Sequence, residues 1–346
     1  MFYKYPYLAS HPATHLNEQI IQFFTNLKVV DKHSSFQLST TLFPQPLLDR
    51  LKRSNELKKL FELFFNAFKQ LMPLERLAVL DQFSTIQEVE LWLDDISRQP
   101  YRINNDNLPT TLRKPASDLF LYLYENTIKG ALASHYVEFL QQLPTVYCPF
   151  CGIEKLPESD VRRADYDHWL YKATYPFVAI SMHNLIPMGD CCNRDFKKKQ
   201  DVLITKSGVR RQFYFPYKHY YELRIKLDGS KLPKANTKKA HWSVNFTINN
   251  NFVQDWAEVF CIRKRYSDEL NAGFTHWTGI FIDEYKGRVS DINTLKQGFR
   301  DHAKTFERFL YRESNLIKHG LFIFLAECED ITYYNAVLRD MGIIGS

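Results

Sequence analysis

Four of the six cysteines in this 346-residue chain fall within 45 residues of one another: Cys148, Cys151, Cys191 and Cys192. A two-residue spacer lets the thiolates of Cys148 and Cys151 reach one ion from a single turn, as half of a structural zinc site requires. In a reducing compartment such clustering favours a metal over disulfides. The second pair is less regular, because neighbouring side chains on a strand or helix diverge. Cys192 is therefore a firmer expected ligand than Cys191. Cys261 and Cys328 stand alone in apolar helical patterns and read as ordinary buried thiols. Between the two cysteine pairs lie oxygen and imidazole donors in a fixed order. They are Asp167-His168-Trp169-Leu170-Tyr171-Lys172, then Tyr175-Pro176, Asn184-Leu185-Ile186-Pro187, and Cys192-Asn193.

This succession resembles the HNH (ββα-metal) endonucleases, in the branch bracketed by paired cysteines, over roughly residues 146–200. The resemblance implies that His168 is the general base that takes a proton from the attacking water. It implies Asp167 and Asn193 as ligands of one catalytic divalent ion, and Asn184 as the brace of the loop carrying the histidine. Mg²⁺ or Mn²⁺ would occupy that site, and Zn²⁺ the cysteine bracket. Such chemistry needs these residue types. Phosphodiester hydrolysis builds negative charge on the transition state and the leaving oxygen, and a hard cation on one or two oxygen ligands stabilises it. A histidine with an ordinary pKa near ~6.5 can act as base at cellular pH. Lys172, Lys197 and Lys198 are the expected phosphate contacts.

Three positions depart from the family pattern. Gly189 stands where a second CxxC should begin, so the fourth zinc ligand is open: Cys191, another donor, or none. Tyr171 replaces a proline, which should loosen the loop, and Phe196 stands where many relatives carry a lysine. His183 reads as a loop residue, and His219 and His241 as surface residues. The family implies a nuclease acting on duplex DNA with little sequence reading. It also implies bacterial anti-phage defence and a protein partner such as an ATPase. The alternatives are a retired HNH scaffold that binds nucleic acid without cutting, and the same chemistry on RNA.

Composition fits an ordinary globular protein, 45% apolar and 24% charged. No apolar run reaches the ~18–20 residues of a membrane span, and the start lacks a signal-peptide pattern, so a cytoplasmic protein without membrane association is expected. The net charge of +6 is unevenly spread. Residues 186–240 hold fourteen Lys/Arg against five Asp/Glu, a local +9 against about −3 elsewhere. A basic segment on a nearly neutral body suits a polyanion partner.

Around the site the patterning is mostly helical, giving an expected α+β fold: a mainly helical chain with a central zinc-bracketed ββα-metal domain. Three domains are expected: 1–143 helical, 144–230 nuclease with basic strands, and 231–346 mainly helical. Within 47–71, Leu57, Leu60, Phe61, Phe64, Phe65 and Phe68 form one apolar stripe. Thr85 to Glu88 reads as a capping box opening a helix through Ile96. Residues 104–115 read as a loop, and Ser117 as the cap of a helix through Leu143. Residues 166–187 suggest two short strands around a loop, with the basic run after Asn193 helical. Further short strands are expected at 211–217 and 220–227, and a linker at 228–240. Residues 251–271 read as a helix with Gly273 its stop, and further helices are expected near 290–315 and 329–341.

Overall fold

A computed structural model describes residues 2–98, 108–158, 164–233 and 240–345. The architecture is mainly helical α+β, with two small antiparallel two-stranded sheets among the described residues. The chain forms two compact units. One comprises Lys4–Pro144 and Pro157–His219; the other comprises Met1–Tyr3, Thr145–Leu156 and Tyr220–Ser346.

The first unit contains α1 (Pro12–Asn26), α2 (Gln45–Arg53), α3 (Asn55–Lys69), α4 (Pro73–Ile86), α5 (Val89–Asp94), α6 (Thr110–Tyr122) and α7 (Leu132–Gln141). Helix α3 follows its apolar spacing: Leu57, Phe61, Phe64, Phe65 and Phe68 are buried, and Ser54 caps it by accepting from the Leu57 amide at 3.2 Å. Phe24 of α1 stacks on Phe83 of α4 with ring centroids 3.6 Å apart. Phe177 inserts into the same cluster, 5.6 Å from Phe24, 5.5 Å from Phe83 and 5.4 Å from Phe120 of α6. That ring belongs to the loop between β1 (Tyr166–His168) and β2 (Leu185–Pro187), so the helical core anchors the hairpin loop. The strands are antiparallel, Asp167 opposite Ile186 and His168 opposite Leu185.

In the second unit β3 (Ile225–Lys226) pairs with β4 (Asn245–Phe246), followed by α8 (Asn251–Val259), α9 (Ile262–Tyr285), α10 (Ile292–Thr305), α11 (Asn315–Glu327) and α12 (Ile331–Asp340). The Cys148–Gly152 turn belongs here. The amides of Cys151 and Gly152 donate to the Cys148 carbonyl at 3.2 and 2.8 Å. Gly152 takes a φ of +66°, open to glycine at little cost. Trp256 of α8 donates to the Phe150 carbonyl and Tyr266 of α9 to the Cys151 carbonyl, both at 2.9 Å.

Several expected boundaries move. Thr85 is not a cap: it lies in the last turn of α4, and its hydroxyl donates to the Asp81 carbonyl. The expected loop is already helical from Thr110, with Pro115 carried inside α6 at the loss of one amide bond; residues 104–107 lie outside the described residues. Ser117 therefore sits within a helix. The run toward Leu143 is broken by a π-helical segment, Leu123–Ile128, before α7 begins. Residues 211–217 form no strand, because their polar groups are committed elsewhere: the Phe213 amide donates to Leu93 and the Tyr214 carbonyl accepts from Trp169. Only Ile225–Lys226 pairs within 220–227. Of the expected linker, Lys231 bridges to His241, and 234–239 lie outside the described residues. The helix expected over 251–271 breaks at Cys261, whose φ is +50°. Gly273 does not stop α9. A Cβ there would come within 2.3 Å of the Trp277 ring, so the glycine serves packing within the helix. Helix α11 was not anticipated. Cys261 is exposed and Cys328 half-buried, against the expectation of two buried thiols. Among the described residues no helix is long and apolar enough to cross a membrane.

Candidate active site and cysteine cluster

The hairpin places Asp167 and His168 side by side on β1, each only 7% exposed, at the floor of a cleft of about 710 Å³. Asn193 joins them in that cleft from the π-helical turn Cys191–Lys197 that follows β2. Three of the four expected catalytic residues therefore face one space.

The fourth, Asn184, lies behind them, fully buried. Its Oδ1 accepts from the Leu170 amide at 2.6 Å, and its Nδ2 donates to the Leu170 and Val178 carbonyls at 3.0 and 3.1 Å. Its own carbonyl accepts from the Trp169 amide at 2.8 Å. One side chain thus ties the exit of β1 to the 176–178 turn. Only an amide, with a donor and an acceptor at one tip, satisfies both sides. The loop expected to be loosened at Tyr171 is closed there, its carbonyl accepting from the amides of Thr174 and Tyr175, both at 2.9 Å.

His168 Nε2 lies 3.0 Å from the Ala179 carbonyl. A carbonyl only accepts, so Nε2 carries the proton and Nδ1 holds the lone pair. Burial pushes the imidazole down to about 3, aided by nearby Lys172 and opposed by the Ala179 bond. It is therefore neutral at neutral pH, but a pKa this far below the operating pH makes it a weak proton acceptor in the empty cleft. Asp167 is pushed up to about 6 by burial, which Lys197 opposes.

Lys197, an expected phosphate contact, points inward instead. It is fully buried, with Nζ 2.6 Å from Asp167 Oδ2 and 2.9 Å from the His168 carbonyl oxygen. The reason is the π turn. The Lys198 amide donates five residues back to the Asn193 carbonyl at 2.8 Å, and the wider turn brings Lys197 round to the inner face. Lys198, at φ +49°, ends the turn and lies exposed on the cleft wall. Lys172 also lines the cleft, its Nζ 3.4 Å from Glu125.

The far wall of the cleft is formed by Tyr124, Glu125 and Lys129, from the segment joining α6 to α7, and by Leu132, the first residue of α7. Sequence reading missed these residues, since no motif or period marks Tyr-Glu-Asn-Thr as part of a site. The Tyr124 ring meets His168 edge to face at 4.4 Å.

The cysteines divide as side-chain divergence predicts. The Sγ atoms of Cys148, Cys151 and Cys192 lie within 4.8 Å of one another, all buried, and none is in a disulfide. Thiolates about 2.3 Å from a tetrahedral zinc would stand roughly 3.8 Å apart, so this buried group can hold a metal ion and is compatible with structural zinc. Cys191 is exposed and is not among these three. On the opening of a helical turn, adjacent residues point about 100° apart. Of the other histidines, His183 is half-buried beside Tyr7, His219 half-buried near Asp94, and His241 exposed.

Asp167, whose Oδ2 meets Lys197, and Asn193 both line the cleft. Compared with known proteins, the chain matches no family model, no curated protein and no solved structure.

Proposed function

We propose that the chain is a metal-dependent phosphodiesterase acting on nucleic acid, with residues 164–199 forming an HNH-type ββα-metal core. The observation that carries this reading is the shared cleft of Asp167, His168 and Asn193, behind which Asn184 fixes the hairpin loop. In it, Asp167 and Asn193 hold a divalent ion, Mg²⁺ or Mn²⁺. When bound, that ion supplies charge stabilisation at the scissile phosphate. His168, neutral and held through Nε2, takes the proton of the attacking water on Nδ1. Lys197 offsets the charge of the buried Asp167 and fixes the carbonyl of His168. The exposed cations at the rim, Lys129, Lys198 and Lys199, attract the phosphate backbone.

The test is cleavage of plasmid DNA and structured RNA by the purified chain in Mg²⁺, in Mn²⁺ and in EDTA, beside Asp167→Asn. Cleavage that needs the metal and falls at least ~100-fold in the variant is expected. Metal-independent cleavage, or an Asp167→Asn enzyme as fast as the parent, would overturn the assignment. Binding without cleavage under every condition would favour a retired scaffold.

A further inference from the structure

On the reading just given, we propose that the cleft takes an unpaired nucleic-acid strand in preference to a duplex, and that Tyr124 is the residue that sets this preference. Asp167 and His168 lie at the floor, and the opposite wall comes within ring contact of the imidazole. Lys172, from the loop after β1, reaches across to that wall. Its Nζ lies 3.4 Å from Glu125 and 4.4 Å from the centre of the Tyr124 ring. Lys172 thereby links the two sides of the cleft beside the histidine. A volume of about 710 Å³ is that of a small-molecule pocket, in the ~300–1,000 Å³ range. It accommodates a nucleotide or two of a single strand. A duplex brings a second strand across a minor groove ~6 Å wide, and the Lys172–Tyr124–His168 contacts stand beside the catalytic positions where that strand has to be accommodated.

The lining fits the same ligand. Tyr124 and Tyr171 put aromatic surface in the cleft, and Lys129, Lys198 and Lys199 put positive charge around it. Rings inside a basic groove are how proteins hold single strands without reading their sequence. DNA and RNA strands share this chemistry, and the assay separates them.

The experiment uses the full chain with a fluorescein-labelled oligodeoxynucleotide, its blunt duplex, and RNA of the same sequence. Single-turnover cleavage is measured in Mn²⁺, and binding by anisotropy in EDTA at physiological salt. The unpaired strand is expected to be cut, and to bind, at least ~10-fold better than the duplex. Tyr124→Ala should bring the two rates together, whereas Tyr124→Phe should keep the parent's ratio. Because the ratio is read within each variant, a general loss of activity does not mimic the effect. Simple charge attraction favours the denser duplex, so equal or tighter duplex binding overturns the proposal, as does an unchanged ratio in Tyr124→Ala. If the parent cuts nothing, or His168→Ala cuts as well as the parent, the nuclease reading fails; the anisotropy ratio still decides the strand preference.

Discussion

At Asn184 one buried side chain makes three hydrogen bonds that span the hairpin loop. Replacing it with Ala leaves the Leu170 amide and two carbonyls unpaired in a dry interior. Each unmade bond costs about 1–3 kcal/mol, so Asn184→Ala should lower unfolding free energy by roughly 3 kcal/mol or more in a urea titration. A loss under about 0.5 kcal/mol would show that the brace carries no such load. The brace was readable from sequence because a two-sided hydrogen-bonding role admits only an amide; the proposed base and ion ligands were singled out by the same reasoning. Lys197 was not readable. Its place in a run of three lysines looked like a solvated face, and only the π turn makes it the buried partner of Asp167.

Elements of the first unit meet at the hairpin, and two contacts set its position. Phe177 anchors the loop in the phenylalanine core. Phe177→Ala should cost ~3–5 kcal/mol and reduce activity with it. A stable variant with normal activity would show that the helical core does not position the site. The second contact is His135 Nδ1 of α7, 2.6 Å from the Tyr166 hydroxyl of β1. Burial pushes His135 down to about 4 from 6.5, and nearby His11 adds to the shift. The folded protein thus holds it neutral while the unfolded chain protonates it below about 6.5. Its contribution is complete above that pH and is lost as pH falls toward 4, by roughly 2–3 kcal/mol. His135→Gln should flatten this part of the stability profile; a profile as steep as the parent's would contradict the account. Helix interiors were legible from periodicity, as in α3. Helix ends were not, because Pro115 and Gly273, both read as breakers, are held inside helices by packing. Tyr124 escaped notice for a related reason: its contact with His168 joins positions 44 residues apart, and no local pattern records that.

At the scale of the whole molecule, no cysteine among the described residues is in a disulfide, while three buried thiols converge. Melting should therefore be insensitive to reductant and lowered by a strong zinc chelator. Structural zinc contributes on the order of 10 kcal/mol in small domains, so Cys192→Ser should lose its zinc and melt earlier, and Cys191→Ser should keep both. Equal zinc content in the two variants would refute the three-thiol assignment. The mainly helical character and the basic middle segment were both visible in composition and spacing. Each of the two units is assembled from separated stretches of chain, an arrangement that no local pattern records. The central claim is that His168 is the base of a metal-dependent phosphodiesterase. It is tested most directly by single-turnover cleavage of a nucleic-acid substrate in Mn²⁺ by the parent and by His168→Ala at equal fold and metal content. A fall of ~10²–10⁴ in rate is predicted; cleavage within a few-fold of the parent would contradict it.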